Sequence, residues 1–387
     1  MKVIVLGCGL VGGPMAVDLA KEETFEVTIV DKNQDVLTAF AAKHDNIETV
    51  CRDLGNPQDI CPLIADCDLV LNAVPGFMGF QTLRAVIEAG KHVVDIAFYP
   101  ENPFDLDALA REKGVTAIVD CGVAPGMSNL LIGHVHRQLD RTDSVLVYVG
   151  GLPEIRRWPF EYRAVFSPTD VIAEYTRPAR YVENGRLVIR PALSDPELID
   201  FPGIGTLEAF NTDGLRTLAD TIDCPNMKEK TLRYQGHIEK MALLRAAGFF
   251  GEDAIEIDGH SIRPVDFTAK LMFPQWQMEE GEVDLTVLQI VVEGVKDGMP
   301  QRHVYDLLDK YDVPSKTHSM ARTTGYTATV AARMLARGLY AQTGISPPEF
   351  VGRNHRCVEF MLDGLAERGV VFRETIERGE AQESACA

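Results

Sequence analysis

The sequence predicts an α/β protein in which a doubly wound parallel sheet is followed by a second α+β domain with a mixed or antiparallel sheet. Three observations carry this. From residue 2 to about 121, short apolar strands alternate with helical stretches. The first of these strands runs straight into the glycine-spaced loop Gly7-Cys8-Gly9-Leu10-Val11-Gly12, and after Gly122 the texture changes to hairpin signals. Strands and helices that alternate through short connections build right-handed crossovers and a sheet covered on both faces, the Rossmann-type arrangement. A chain of 387 residues exceeds the size at which one hydrophobic core keeps growing, so two domains are expected. They fall at residues 1–122 and 123–320, with a helical segment at about 320–350 returning to the first.

Along the first domain, strands are expected at Lys2 to Leu6, Glu26 to Val30, Ile47 to Cys51, Leu69 to Ala73, His92 to Ala97 and Thr116 to Asp120. Most are short aliphatic runs, as strands buried on both faces require. Helices begin between them near Val11, Gln34, Pro57, Phe80 and Pro103. In the second domain Ser144 to Gly150, Arg163 to Ser167 and Tyr181 to Ile189 read as strands, and Asn184-Gly185 between apolar runs marks a tight hairpin. Val283 to Gly294 followed by Lys296-Asp297-Gly298 repeats that signature, while Ile238 to Ala247 and Pro264 to Met272 carry helical spacing. Ala328 to Arg337 is a small-residue amphipathic helix, and the polar tail after Glu374 is expected to fray.

Composition narrows the class. A formal net charge of −19, without a local Lys/Arg stripe to offset it, argues against nucleic acid as a partner. The eight cysteines (Cys8, Cys51, Cys61, Cys67, Cys121, Cys224, Cys357 and Cys386) form no CxxC pair or disulfide framework and read as reduced thiols. Met1-Lys2 leads directly into a strand rather than a signal peptide, and no apolar run approaches the roughly 20 residues needed to span a bilayer. A cytoplasmic protein with a small-molecule substrate, and no membrane partner, is expected.

The glycine loop points to a dinucleotide. A pyrophosphate needs backbone amides close to it and a helix start behind them. Gly7 permits the tight turn, Gly9 lets the backbone approach the phosphates through Leu10 and Val11, and Gly12 lets the helix pack on the strand. Asp31 closes the second strand about twenty residues further on, where a carboxylate accepts ribose hydroxyls and repels a 2′-phosphate, so NAD is expected rather than NADP. The alternative is that Asp31 caps the next turn, with Lys32 beside it to neutralise a phosphate. Asp53, after the third strand, is placed near the adenine. Ala73, Val74 and Pro75, at the carboxyl edge of the fourth, lie where cofactors bind in open sheets.

Beyond the loop, several segments carry a resemblance: Cys121-Gly122-Val123-Ala124-Pro125-Gly126-Met127-Ser128-Asn129; Val149-Gly150-Gly151-Leu152-Pro153; Tyr162 to Ser167; Phe201-Pro202-Gly203; Thr206 to Thr217; Leu232 to His237; and Ala321 to Tyr326. In this order they resemble the saccharopine dehydrogenase superfamily, and within it the lysine 6-dehydrogenase branch. Saccharopine reductases resemble the chain too, but that pattern has an acidic residue in the Gly122–Gly126 segment and a cysteine before Gly150. Here Ala124 and Val149 stand at those positions. The resemblance implies NAD-dependent oxidation of the side-chain amine of L-lysine to the 6-semialdehyde, which cyclises. The alternative it leaves is oxidation of a larger secondary amine of the saccharopine type.

That chemistry sets requirements. A lysine ammonium, with a pKa of about 10.4, cannot release hydride until it loses a proton, and the substrate carboxylate calls for Arg or Thr. Arg216 and Thr217 are the first candidates for the carboxylate and Arg322 with Thr323 the second, an ion pair being the competing fate of either arginine. For proton transfer the candidates are Asp95 and Asp120 at strand ends, Tyr99, and His237 behind Gly236. His237 reads equally as a buried structural histidine, and Tyr99 as packing. His134 and His136 are two apart on a helix and face different ways, and no His/Cys/Asp cluster has zinc spacing, so no metal is expected. A non-catalytic dinucleotide sensor is the reading from another class. Apolar strands in the second domain suggest a homodimer.

Overall fold

The computed structural model describes residues 1–279 and 281–379, so Cys386 lies outside the described residues. It divides into two compact units: Met1–Arg137 with Met320–Phe372, and Gln138–Ser319 with the segment from Arg373 onward.

The first unit is built on a parallel sheet of β1 (Lys2–Leu6), β2 (Glu26–Asp31), β3 (Glu48–Cys51), β4 (Leu69–Asn72), β5 (His92–Asp95) and β6 (Thr116–Ile118), in the order β6-β5-β4-β1-β2-β3. A seventh strand from far along the chain, Gly344–Ser346, adds in parallel beside β6. The order reverses between β1 and β4, the switch point at whose carboxyl ends ligands bind in such sheets. Strands expected to run to Ala97 and Asp120 stop at Asp95 and Ile118, and the helix expected near Phe80 spans Gly76–Glu88, the proline before it halting the preceding strand. Leu6, Val70, Val86, Val93 and Ile345 are fully buried in one core on this sheet.

The boundary of this unit is Arg137 rather than residue 122. The helix Met127–Gln138 belongs to it because the helix backbone sits against a later segment of the same unit. A Cβ on Gly133 would lie 2.3 Å from the carbonyl oxygen of Glu349, and one on Gly352 would lie 2.1 Å from that of Leu130. The returning segment contributes the helices Tyr326–Ala336 and His355–Ala366, clamped to the first helix, Gly12–Leu19, through Asp18. Asp18 is 1% exposed, and its carboxylate accepts from Arg333 at 2.8 Å, Arg368 at 2.9 Å and the Thr329 hydroxyl at 2.6 Å.

The second unit carries a nine-stranded mixed sheet and, apart from it, a small antiparallel hairpin of Ile255–Ile257 and His260–Ile262. The strands of the mixed sheet are β7 (Arg141–Pro153), β8 (Ala179–Glu183), β9 (Arg186–Arg190), β10 (Glu197–Phe201), β11 (Gly205–Asn211), β12 (Met227–Tyr234), β13 (Asp284–Lys296), β14 (Met299–Lys310) and β15 (Arg373–Arg378). The spine runs β10-β11-β12-β7-β13-β14-β15, with β8 and β9 attached beside β12. Only β7 and β12 pair in parallel; the other neighbours are antiparallel. Both expected hairpins form with positive φ at both central residues, Asn184 and Gly185 in one (51° and 71°) and Asp297 and Gly298 in the other (51° and 74°), the geometry those residue types favour.

Two expectations for this unit fail. Arg163 to Ser167 is not a strand. Its backbone is drawn aside to cover the aromatic core, Ala164 donating to the Trp276 carbonyl at 2.9 Å, while Arg163 pairs with Glu282 at 3.3 Å. Nor is the described part of the tail unpaired: Arg373–Arg378 extends the sheet antiparallel to β14, with Arg302 paired to Glu377 at 3.1 Å, while residues 380–387 of the expected fraying segment lie outside the described residues. A polar segment reads as loop when its only burial is the ladder itself. No helix among the described residues is long and apolar enough to cross a membrane.

Candidate functional site

In the first unit the loop between β1 and its helix is shaped by two glycines that admit no side chain. Gly7 has φ of 107° and donates to the Val30 carbonyl at 2.8 Å, and a Cβ there would meet the Ala73 carbonyl oxygen at 2.6 Å. A Cβ on Gly12 would lie 2.0 Å from the Gly7 oxygen and 3.3 Å from the Cβ of Ala73. Gly9 differs, with nothing within 4 Å of where its Cβ would be, and Leu10 is 50% exposed. The loop is thus closed on the sheet side and open on the other, which is the side an anion would approach. The cradle fits a dinucleotide pyrophosphate.

Asp31 is held at this loop. Its Oδ2 accepts from the Cys8 N–H at 2.9 Å and its Oδ1 from the Asn33 N–H at 2.9 Å. Asp31 thus braces the following turn through Asn33 and is tied to the loop through Cys8. Asp53 is exposed and accepts from the Gly55 N–H at 2.9 Å, closing its own turn. Ala73, Val74 and Pro75 follow β4, with Ala73 donating to Leu6 at 2.9 Å, so the Ala73 carbonyl becomes the wall behind Gly7.

The strand-end acids are buried. Asp95 is 0% exposed, and its Oδ1 accepts from the Asn72 amide at 3.1 Å and the Ala97 N–H at 2.8 Å, which ties β4 to β5. Asp120 is 2% exposed with φ of 50°, and Cys121 beyond it donates to the Asp95 carbonyl at 2.8 Å. Burial, reinforced by Asp95 and then Asp120, pushes the Cys121 thiol far up. Tyr99 is fully buried against Phe80, and its ring lies 2.7 Å from where a Gly79 Cβ would be, so its place is in the core.

The segment Gly122–Gly126 forms a tight loop with a cis Ala124–Pro125 bond, Gly122 donating to the Pro125 carbonyl at 3.0 Å. The turn Ala321–Gly325 packs beside both loops: a Gly325 Cβ would be 3.3 Å from Val11, and a Gly122 Cβ 3.2 Å from Thr324. Arg322, by contrast, donates to the Arg368 carbonyl at 3.1 Å, and the Thr323 hydroxyl to that of Met320 at 3.4 Å. Both side chains are buried and hold the turn to its surroundings.

The second unit gathers the other candidates into one buried polar cluster. Arg233, 2% exposed, donates through Nε to the Tyr175 hydroxyl at 3.2 Å, pairs with Glu174, and lies 4.5 Å from the centre of the Tyr162 ring. The Tyr175 hydroxyl is 2.9 Å from His237 Nε2, and His237 Nδ1 is 2.7 Å from the Phe160 carbonyl. A carbonyl can only accept, so Nδ1 carries the proton and Nε2 receives the tyrosine hydrogen. Burial, and then Arg233, push His237 down to about 3. Both nitrogens are occupied and the ring is neutral. The geometry gives His237 the structural one of its two readings.

Beside this chain, Asp213 takes both Nε and Nη2 of Arg180 at 2.8 and 3.1 Å, and Arg177 lies close to Arg216, Asp213 and Asp170. Arg216 is 4% exposed with φ of 53°, a conformation that costs a side-chain-bearing residue about 1 kcal/mol or more. The Thr217 hydroxyl, on a residue 3% exposed, has no hydrogen-bond partner among the described residues. A left-handed arginine followed by a buried hydroxyl with spare hydrogen-bonding capacity makes this turn a candidate binding site. Sequence reasoning passed over Glu174, Tyr175, Arg177, Arg180 and Glu229; the signal available was Glu229, Thr231 and Arg233, polar at a period of two on one strand. Among the described residues no group of three or more His, Cys, Asp or Glu is arranged to hold a metal.

The first unit thus has the architecture of a dinucleotide-binding α/β domain. Residues 3–118 match the family model described as saccharopine dehydrogenase NADP binding domain, and residues 122–370 match saccharopine dehydrogenase C-terminal domain. The chain belongs to the saccharopine dehydrogenase family of oxidoreductases. It is 24% identical to a saccharopine dehydrogenase [NADP(+), L-glutamate-forming] of Schizosaccharomyces pombe, over 97% of this chain and 99% of that one. It is also 24% identical to a carboxyaminopropylagmatine dehydrogenase of Synechocystis, over 97% of this chain and 98% of the other. Its fold matches the apo L-Glu-forming saccharopine dehydrogenase of Saccharomyces cerevisiae with a TM-score of 0.80, covering 97% of this chain and 99% of that one, at 19% identity.

Proposed function

We propose that this protein oxidises, or in reverse forms, the carbon–nitrogen bond of a secondary amine of an amino acid, with NAD as the nucleotide. Two relatives matched along nearly their whole length, the saccharopine and carboxyaminopropylagmatine dehydrogenases, support this over direct oxidation of free lysine. The observation that carries it is the turn Arg216–Thr217, an arginine in the left-handed backbone conformation followed by a buried, unsatisfied hydroxyl, suited to a substrate carboxylate. The lysine reading keeps Ala124 and Val149 in its favour.

In this reading the Gly7–Gly12 loop and Asp31 hold the nucleotide. A bound nicotinamide supplies the hydride acceptor. The chain's own part is to fix the carboxylate, take a proton from the amine and leave the reacting carbon oriented. Asp120, just beyond β6 at the carboxyl end of the sheet and held with φ of 50°, is the acid we assign to the proton. After oxidation to a C=N bond, water hydrolyses the imine to an amine and a carbonyl compound. The test is NADH formation with saccharopine and with L-lysine as separate substrates. Turnover of saccharopine but not lysine is expected, and turnover of lysine alone overturns the proposal.

Cofactor choice is a second expected result. The Schizosaccharomyces pombe relative is named for NADP(+), whereas the Asp31 carboxylate would face a 2′-phosphate at short range. Asp31→Ser is expected to lower kcat/KM for NAD and raise it for NADP, moving their ratio by about a hundredfold, which corresponds to about 2.8 kcal/mol. An unmoved ratio would remove Asp31 from cofactor selection.

A further inference from the structure

The turn that presents Arg216 and Thr217 is wrapped around a single carboxyl group. Glu229, on β12, is 5% exposed. Its carboxyl receives the Thr212 hydroxyl and the backbone N–H of Gly214, and the Thr212 hydroxyl is itself 2.9 Å from that of Thr231. Gly214 makes room for it: a Cβ there would fall 2.2 Å from both Cδ and Oε2 of Glu229. Thr212 and Gly214 are thereby both fixed to Glu229 immediately before the chain enters the left-handed residue Arg216.

We infer that Glu229 is a positioning residue whose carboxyl group sets the Thr212–Thr217 turn and so the substrate-carboxylate contacts of Arg216 and Thr217. The inference rests on the reading of that turn given above.

The surroundings explain why a neutral acid belongs there. The charged groups around it are Glu174 on the helix Pro168–Thr176, paired with Arg233 of its own strand, and Asp213 of the turn, paired with Arg180, with Arg177 close to Arg216 and Asp213. Two carboxylates stand nearby, and each already has an arginine of its own. Burial, and then Glu174 and Asp213, raise Glu229 to about 8, against the hydrogen bonds from Thr212 and Gly214 that lower it. When the acid is protonated the Thr212 bond reverses: the acid O–H donates to the Thr212 hydroxyl, which turns its own hydrogen to Thr231, while the carbonyl oxygen accepts from Gly214. A glutamine reproduces both bonds, its amide nitrogen donating and its oxygen accepting. A carboxylate can only accept, and ionisation would set a third negative charge among two others, pushing the turn away.

The experiment is the pH dependence of KM for the amine substrate between pH 6.5 and 9.5, in wild type, Glu229→Gln, Glu229→Ala and Arg216→Ala. Saccharopine is the probe, or L-lysine if that is the amine oxidised, and KM for NAD is the internal control. The amine's own ionisation is the same in every variant, so the ratio of variant to wild type is read. For wild type, KM is expected to climb by up to about tenfold per pH unit above the Glu229 transition, with kcat and KM for NAD little moved. Glu229→Gln is expected to lack this climb and, at pH 7, to keep a KM at least tenfold below that of Glu229→Ala. If Glu229→Ala does not fold, the glutamine profile alone decides. An alkaline limb identical in wild type and Glu229→Gln overturns the inference provided that Arg216→Ala raises KM. A flat response to Arg216→Ala overturns the turn reading itself, and Glu229's role with it.

Discussion

Gly12→Val is expected to abolish dinucleotide binding, with Kd for NADH rising at least a hundredfold by fluorescence titration. The Gly12 Cβ position lies 2.0 Å from the Gly7 carbonyl oxygen, an atom of backbone that cannot rotate aside. Gly7 in turn cannot retreat, because it is anchored to Val30 at 2.8 Å and its own Cβ position is blocked by Ala73. A valine must push the first helix off the strand, and the loop amides lose the alignment that faces the anion. Gly9→Ala is the contrast: its Cβ would enter open space, so the protein should stay folded and any loss should be of dinucleotide affinity alone. If Gly12→Val bound NADH like wild type, the loop would not be the nucleotide site.

Asp18→Ala should destabilise the first unit by about 3–5 kcal/mol, the size expected when one partner of a buried charge network is removed. Asp18 is 1% exposed and serves Arg333, 3% exposed, and the 13%-exposed guanidinium of Arg368 at once. Without it two arginines are left near one another in a site closed to water, with Glu22 still beside Arg333. Burial pushes the Asp18 carboxyl up, but Arg333 and Arg368, with the Thr329 hydroxyl, outweigh it and hold the group below its ordinary value. A depressed acid contributes stability above its unfolded value, about 3.9, and that stability is lost as pH falls through the folded value. The variant should therefore lose stability at neutral pH and show less of the acid-induced fall below about pH 4. Urea unfolding at pH 7 and pH 3 measures both, and equal losses at the two pH values would refute the linkage.

Much of the first unit was legible because its rules are local. A β1 run of Val-Ile-Val-Leu ahead of Gly7, Gly9 and Gly12 needs no distant partner to be read, and neither do Asn184-Gly185 and Asp297-Gly298, whose positive φ values follow from residue type. The sequence missed the polar anatomy of the second unit because each group there depends on others far along the chain. His237 reads equally as base or structural histidine until Tyr175 and Phe160 are seen at its two nitrogens, and Arg322 as ligand or ion-pair partner until one of its N–H groups is seen on the Arg368 carbonyl. Arg163 to Ser167 and the tail from Arg373 were misread for the matching reason: what covers or pairs a segment is decided by a partner that is not adjacent in sequence.

By itself, then, the sequence determined the doubly wound sheet, the glycine cradle with Asp31 at its edge, and the resemblance that places the chain in its family. These are written in short-range periodicity, in glycines that sterics make irreplaceable, and in the order of motifs. Only the tertiary structure decided that the helix Met127–Gln138 belongs with the first unit, that Asp18 is a buried hub, and that Glu229 holds Thr212 and Gly214 just before Arg216. Burial and pairing are properties of where chains meet, and a side chain's charge, proton and partner are fixed only when its neighbours close around it.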